Sequence, residues 1–163
     1  MTYREIVHSM INVMGIHRYK ISKASHKVGL YYGQPNILEY VKAHNYCTQK
    51  ELAKGLHVSP ASVATSVKRL EKSGYVTKIQ DKEDTRKTHI SITDNGKDVL
   101  KAFRDLCNTT DSEMFKGFTD EECKQFAEYL TRIQKNLNPD DISADDIREF
   151  IENDKKMNER EGM

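Results

Sequence analysis

The stretch from Thr48 to Thr93, TQKELAKGLHVSPASVATSVKRLEKSGYVTKIQDKEDTRKTHISIT, constrains this chain more than any other. Thr48 with Glu51 three residues on spells a capping box, so a helix begins there. Leu52, Ala53 and Leu56 give it an apolar side, and Gly55 is expected to end it in a left-handed conformation. Val58 is the apolar plug of the turn that follows. Ser59 then caps a second helix, with Pro60 at its first position, where a missing N–H costs nothing. Val63, Val67 and Leu70 recur at i, i+4 and i+7 and mark its inward face. Ala61, Ser62, Thr65, Ser66 and Arg69 fall mostly on the outward face. That face is small and polar at its start and basic at its end, through Lys68, Arg69 and Lys72. Gly74 stops the helix.

Two strands follow. Tyr75 to Ile79 and Thr88 to Thr93 are rich in β-branched residues, and Ile90 and Ile92 alternate with Ser91 and Thr93 as in a half-buried strand. Between them Gln80 to Lys87, QDKEDTRK, is polar and turn-rich, and exposes Lys82, Asp84, Arg86 and Lys87. Two short helices, a tight turn and a two-stranded hairpin, in that order, make a winged helix-turn-helix, whose second helix enters the major groove of DNA. Small residues let that helix sink against base edges, and cations beyond them reach phosphate or guanine. An arginine on the hairpin tip is drawn to an adjacent minor groove.

The run D-x-R, then a strand, then S-I-T-D-N-G resembles the wing signature of the MarR family of transcriptional regulators; here it comprises Asp84, Arg86, Ser91, Ile92, Thr93 and Gly96. Ser59 to Val76, SPASVATSVKRLEKSGYV, is similar to that family's recognition helix and its lead into the wing. By length and element order the resemblance covers roughly residues 3 to 137. It implies that Arg86 reaches the minor groove with Asp84 as its orienting partner. It also implies that Ser59, Ala61, Ser62, Thr65, Ser66, Lys68, Arg69 and Lys72 read bases and phosphates, with Lys82 and Lys87 beside Arg86 on the wing. The family's members are homodimers, most often repressors, and many bind a small aromatic ligand in a crevice for which His8, His17, Tyr31, Tyr32 and Tyr40 are the candidates here. The plainer alternative for those five is core or dimer-seam packing. For the module as a whole it is a protein-docking winged helix, with Asp84 and Arg86 a surface pair worth under about 1 kcal/mol.

The expected fold is therefore mainly α with a small β-hairpin wing. A DNA-binding core over 34–93 is flanked by dimerisation helices over 2–23 and 94–137, and an acidic extension follows over 138–163. Thr2 and Glu5 cap the first helix, which carries apolar residues on two sides: Val7, Met10, Met14, His17 and Ile21 on one, Ile6, Ile11, Val13 and Ile16 on the other. A girdle that wide suits burial by the domain and by a partner subunit. Residues 24–33 read as a loop, and Pro35 opens a helix that packs through Ile37, Leu38, Tyr40 and Val41. After the wing, Thr93 caps a helix from about Asn95 to Lys116 with Val99, Phe103, Leu106 and Met114 on its stripe. Thr119 and Glu122 cap another, with Phe118 stapled onto Cys123 and an apolar stripe through Phe126, Leu130, Ile133 and Leu137. Beyond the Asn138-Pro139 break, Ser143 and Asp146 cap one more short helix whose apolar side is Ile147, Phe150 and Ile151.

The formal net charge is only +1, but it is unevenly spread. Residues 1–47 carry 6 Lys/Arg against 2 Asp/Glu, residues 48–93 carry 9 against 5, and residues 94–163 carry 11 against 18. The basic part is the part expected to meet phosphate. With no long apolar run and no apolar signal core, the expectation is a cytoplasmic protein away from membranes. Cys47, Cys107 and Cys123 are odd in number and expected to be reduced. Cys47, just before a helix N-terminus where a thiol's pKa can fall, leaves a redox-sensing regulator as an alternative. The scattered histidines suggest no metal ligands and no cofactor, and the absence of a phosphate loop or nucleophile elbow argues against an enzyme.

Overall fold

All three capping boxes written in the sequence are formed. In the computed structural model, which describes residues 1–138, 142–143, 146–147 and 150, the hydroxyls of Thr2, Thr48 and Thr119 accept the N–H groups of Glu5, Glu51 and Glu122 at 3.2–3.3 Å. Each glutamate reaches back to the cap's own N–H. These caps start α1 (Tyr3–Lys27), α3 (Gln49–Gly55) and α6 (Asp120–Leu137). The remaining elements are α2 (Gln34–Ala43), β1 (Cys47–Thr48), α4 (Pro60–Lys72), β2 (Val76–Gln80), β3 (Thr88–Ile92) and α5 (Asp94–Met114). The mainly helical, winged reading therefore stands.

The wing differs from a bare hairpin. A third strand, β1, pairs antiparallel with β3, giving the sheet order β1-β3-β2 with Cys47 opposite Ile90 and Val76 opposite Ile92. Two residues are too short to show a strand period in sequence. The first helix is also longer than expected and runs to Lys27. Ala24 and Ser25, expected in a loop, are instead its buried residues.

Gly55 has a different job from the one its position suggested. It is the last residue of α3, and the left-handed residue of the turn is His57, at φ 52°. A Cβ on Gly55 would sit 2.2 Å from the Tyr40 ring, so glycine is there to admit that ring. Gly74 does act as expected. At φ +73° it ends α4, with its N–H on Glu71 O and that of Tyr75 on Leu70 O, a Schellman closure.

The described chain falls into two compact units, residues 1–114 and the residues from 115 onward. The core lies in the first. Leu30, Leu38, Val41, Leu52, Val63, Val67, Leu70, Val76, Ile90 and Leu100 are all within 2% of complete burial. Each such side chain contributes about 1.5–3 kcal/mol against exposure. On α5 the fully buried residue is Leu100, with Val99 and Phe103 beside the core, while Met114 is exposed. The α1 girdle is open in the single chain: Ile6, Val7, Met10, Ile11, Val13, Met14 and Ile16 are exposed. In the second unit α6 buries none of its residues, and the Phe115 ring packs edge-on against Phe118 and tilted against Phe126. The Ser143–Asp146 cap forms, whereas Ile151 and most of the acidic extension lie outside the described residues.

The junction between wing and α5 leaves no room for a side chain. Thr93 donates its N–H to Tyr75 O at 3.0 Å and its hydroxyl to Gly74 O at 2.6 Å, while that hydroxyl accepts the Gly96 N–H at 3.0 Å. A Cβ on Gly96 would lie 2.0 Å from the Tyr75 carbonyl oxygen, which is backbone and cannot rotate away. Gly96→Ala is thus expected to cost about 3 kcal/mol or more, and Gly55→Ala, which displaces only a ring, about 1 kcal/mol. Urea unfolding of the two variants checks this, and equal losses would show the junction to be yielding.

Candidate nucleic-acid interface

The second helix of the turn presents its outward face as the residue spacing dictates. Ser59 caps α4 through Ser62 N at 3.2 Å, and Pro60 occupies the first position. Val63, Val67 and Leu70 are buried, leaving Ala61, Ser62, Thr65, Lys68, Arg69 and Lys72 exposed. Ser66 is half-buried, because it sits three residues from Val63 and four from Leu70, at the rim of the inward face. The Ser59 hydroxyl also meets that of Ser62 at 2.8 Å, so the cap occupies part of both polar groups.

The wing tip is a closed turn with its cations outward. Asp81 N–H bonds to Lys87 O, Lys87 N–H to Asp84 O, and the Gln80 amide to Thr85 O. Asp84 accepts Arg86 Nε at 3.1 Å and Arg86 N–H at 3.2 Å, with Lys87 Nζ 3.7 Å from its other oxygen. The hydrogen bond from the Arg86 side chain, first, holds the Asp84 carboxyl below its ordinary range. The Arg86 side chain is 90% exposed, so the bond to Asp84 aims a guanidinium that is otherwise in solvent. Lys82 and Lys87 are exposed on the same loop.

Beneath the tip lies a support that the sequence reading missed. Asp81 Oδ1 accepts the N–H groups of both Glu83 and Asp84 at 2.9 Å. Its other oxygen lies 2.9 Å from His89 Nε2, and His89 Nδ1 lies 3.0 Å from Tyr46 O. The Tyr46 ring stacks on His89 at 4.1 Å, although Tyr46 takes a left-handed backbone at φ 68°. An aspartate opening a polar turn is the one local signal for this arrangement. His89 and Tyr46 are 43 residues apart, and no local pattern joins them.

The five candidate ligand residues have separate surroundings. His8 is exposed, and His17 Nε2 pairs with Asp111 at 2.8 Å where α1 meets α5. Tyr40 stacks on His44 and covers Gly55. Tyr32 is exposed, and Tyr31 lies against Arg69 of α4. Cys47 is buried, and burial, with the Glu51 carboxylate adding to it, pushes its thiol up. That reverses the direction expected from the helix end and removes the feature that favoured redox sensing. Among the described residues no group of three or more His, Cys, Asp or Glu is arranged to hold a metal, and no helix is long and apolar enough to cross a membrane.

Residues 30–88, which span the end of the α1–α2 loop through the wing tip, match the MarR family model. Within that span the chain carries a MarR-type domain. Its MarR core is similar to the HTH-type transcriptional regulator BilQ of Clostridioides difficile (strain CD3), 29% identical over 102 residues, 63% of this chain and 66% of that protein. It is also similar to the uncharacterized HTH-type transcriptional regulator YwhA of Bacillus subtilis (strain 168), 25% identical over 60% of this chain and 70% of that one. The match thus spans about two thirds of these relatives' length. The likeness in fold extends further. The YusO protein from Bacillus subtilis aligns with a TM-score of 0.75 at 20% identity, covering 81% of this chain and 94% of that one. A MepR mutant from S. aureus bound to an oligodeoxyribonucleotide aligns with a TM-score of 0.66 at 22% identity, covering 84% and 99%.

The Asp81 support of this MarR wing depends on charge. Its carboxyl is held down to about 2 from an ordinary 3.8, first by the Asp84 and Glu83 N–H groups and then by His89. A folded value below the unfolded one means the contribution is complete above about pH 4 and is lost as pH falls through about 2. Asp81→Ala is expected to speed amide exchange at Glu83 and Asp84 several-fold at pH 7. In the wild type the wing-tip resonances should shift together with the Asp81 carboxyl as it titrates near pH 2. Titration near pH 4 with a static tip would remove this support.

Proposed function

We propose that this protein is a sequence-specific DNA-binding transcriptional regulator, a homodimer that reads an inverted-repeat operator as a ligand-responsive repressor. The observation that carries the reading is the pairing of two surfaces on one compact unit. The exposed α4 face is small and polar at Ala61, Ser62 and Thr65 and basic at Lys68, Arg69 and Lys72, and the wing holds Arg86 outward on Asp84. In this reading α4 enters the major groove and Arg86 grips the flanking minor groove. The family match supports it, as does the fold shared with a MepR mutant solved with an oligodeoxyribonucleotide.

The open apolar faces support a dimer. Seven aliphatic or methionine side chains on α1 are exposed in the single chain, and in the second unit so are Phe126 and Leu137 of α6; exposed apolar faces of this kind suit a protein partner. A second copy covers them and spaces two α4 helices about 10 bp apart on DNA. A small aromatic ligand, taken near His8, His17, Tyr31, Tyr32 or Tyr40, releases DNA by favouring a dimer whose heads are differently spaced. The protein then acts in the cytoplasm, where its operator is.

Selection from random duplex DNA with purified protein is expected to enrich an inverted repeat with half-sites about one helical turn apart. Arg86→Ala should weaken binding about tenfold per half-site, similarly for all sequences, whereas changes at Ser62 or Thr65 should alter base preference. A folded dimer that enriches nothing and shows no salt-dependent affinity would instead be a protein-docking winged helix.

A further inference from the structure

We infer that Tyr31, outside the helix-turn-helix, is a positioning residue for the DNA-reading Arg69. This rests on the DNA-binding reading above and deepens it. Arg69 Cζ lies 5.3 Å from the centre of the Tyr31 ring, within the range of a cation–π contact. Arg69 is exposed on the outward face of α4, one turn beyond Thr65. A long side chain there is free to sample many rotamers, and fixing it on binding costs free energy. A flat aromatic face under the guanidinium restricts it beforehand and leaves its N–H edge open for guanine or phosphate.

The ring can serve because its backbone is fixed from below. At the end of α1 the Leu30 N–H bonds to Ser25 O, the Ser25 hydroxyl donates to Leu30 O at 3.0 Å, and Gly29 turns the chain at φ +77°. Leu30 is fully buried in the core. Tyr31 N–H then donates to Gln34 Oε1 at 2.8 Å, and Gln34 N–H returns to Tyr31 O at 3.0 Å. Ser25 and Gln34 are the two buried polar side chains of the described core, and both are used to hold this turn. His26 meets the ring edge-on at 6.5 Å. Tyr31 is nonetheless 59% exposed, so two buried polar groups and a buried leucine hold in place a side chain that contributes little to the core itself. A loop organised this way suits presentation of the ring to Arg69, and it ties the C-terminal end of α1 to the reading helix.

The test uses the full chain and the duplex enriched by the selection, with affinities measured by fluorescence anisotropy at fixed salt. Tyr31→Phe keeps the aromatic face and is expected to bind within about twofold of wild type. Tyr31→Leu should lose about fivefold per half-site, the scale of an exposed cation–π contact. In an Arg69→Ala background Tyr31→Leu should have no further effect, a coupling that a merely structural role would not produce. Tyr31→Leu binding like wild type, or losing the same factor in both backgrounds, overturns this inference alone. A wild-type chain without salt-dependent duplex affinity overturns the DNA-binding reading and this inference with it.

Discussion

The Tyr75 carbonyl is where α4, the wing and the long α5 are joined. It accepts the Thr93 N–H at the end of β3, while the Thr93 hydroxyl reaches Gly74 O at the end of α4 and caps α5 through Gly96 N–H. One threonine therefore ties the last turn of α4 to the first turn of α5, and the sheet between them is held in register. Backbone hydrogen bonds of this kind fix direction as well as distance. Any looseness there would swing α4 and the wing relative to each other, and the proposed DNA complex needs the two set together to meet adjacent grooves.

The same economy governs charge. A wing that carries three acids looks wasteful for a surface proposed to meet phosphate. Asp81 and Asp84 are not competing for DNA, however. Asp81 spends its lone pairs on two backbone N–H groups and His89, and Asp84 spends its own on Arg86. Both are thereby converted from repulsive charges into fixed acceptors, and the Arg86 side chain that Asp84 holds points outward. Tyr31 extends this principle to α4, where an aromatic face in place of a carboxylate orients Arg69 without cancelling its charge.

Much of this was legible because it is local. Capping boxes span three residues, so Thr2, Thr48 and Thr119 announced their helices; the i, i+4, i+7 spacing of Val63, Val67 and Leu70 fixed which side of α4 faces outward. The D-x-R run carried the Asp84–Arg86 pair for the same reason. What failed was long-range or too short to show a period. The strand β1 has two residues and exists only by pairing with β3. Gly55 looked like a helix stop because glycine usually is one, but the neighbour that demands it, Tyr40, comes from another helix. Cys47 looked activated by its helix end until β3 and the core buried it.

Sequence by itself determined the order of the helices and the hairpin, the faces of α4 and the Asp84–Arg86 pair of the wing tip, since each depends on residues within a turn or two of one another. Tertiary structure alone decided that Gly96 must lack a side chain, that His89 and Tyr46 brace the wing, and that Tyr31 lies under Arg69. Those contacts join residues tens of positions apart, and their distances are set by how the core packs around Leu30, Leu70 and Leu100, a geometry no local pattern encodes.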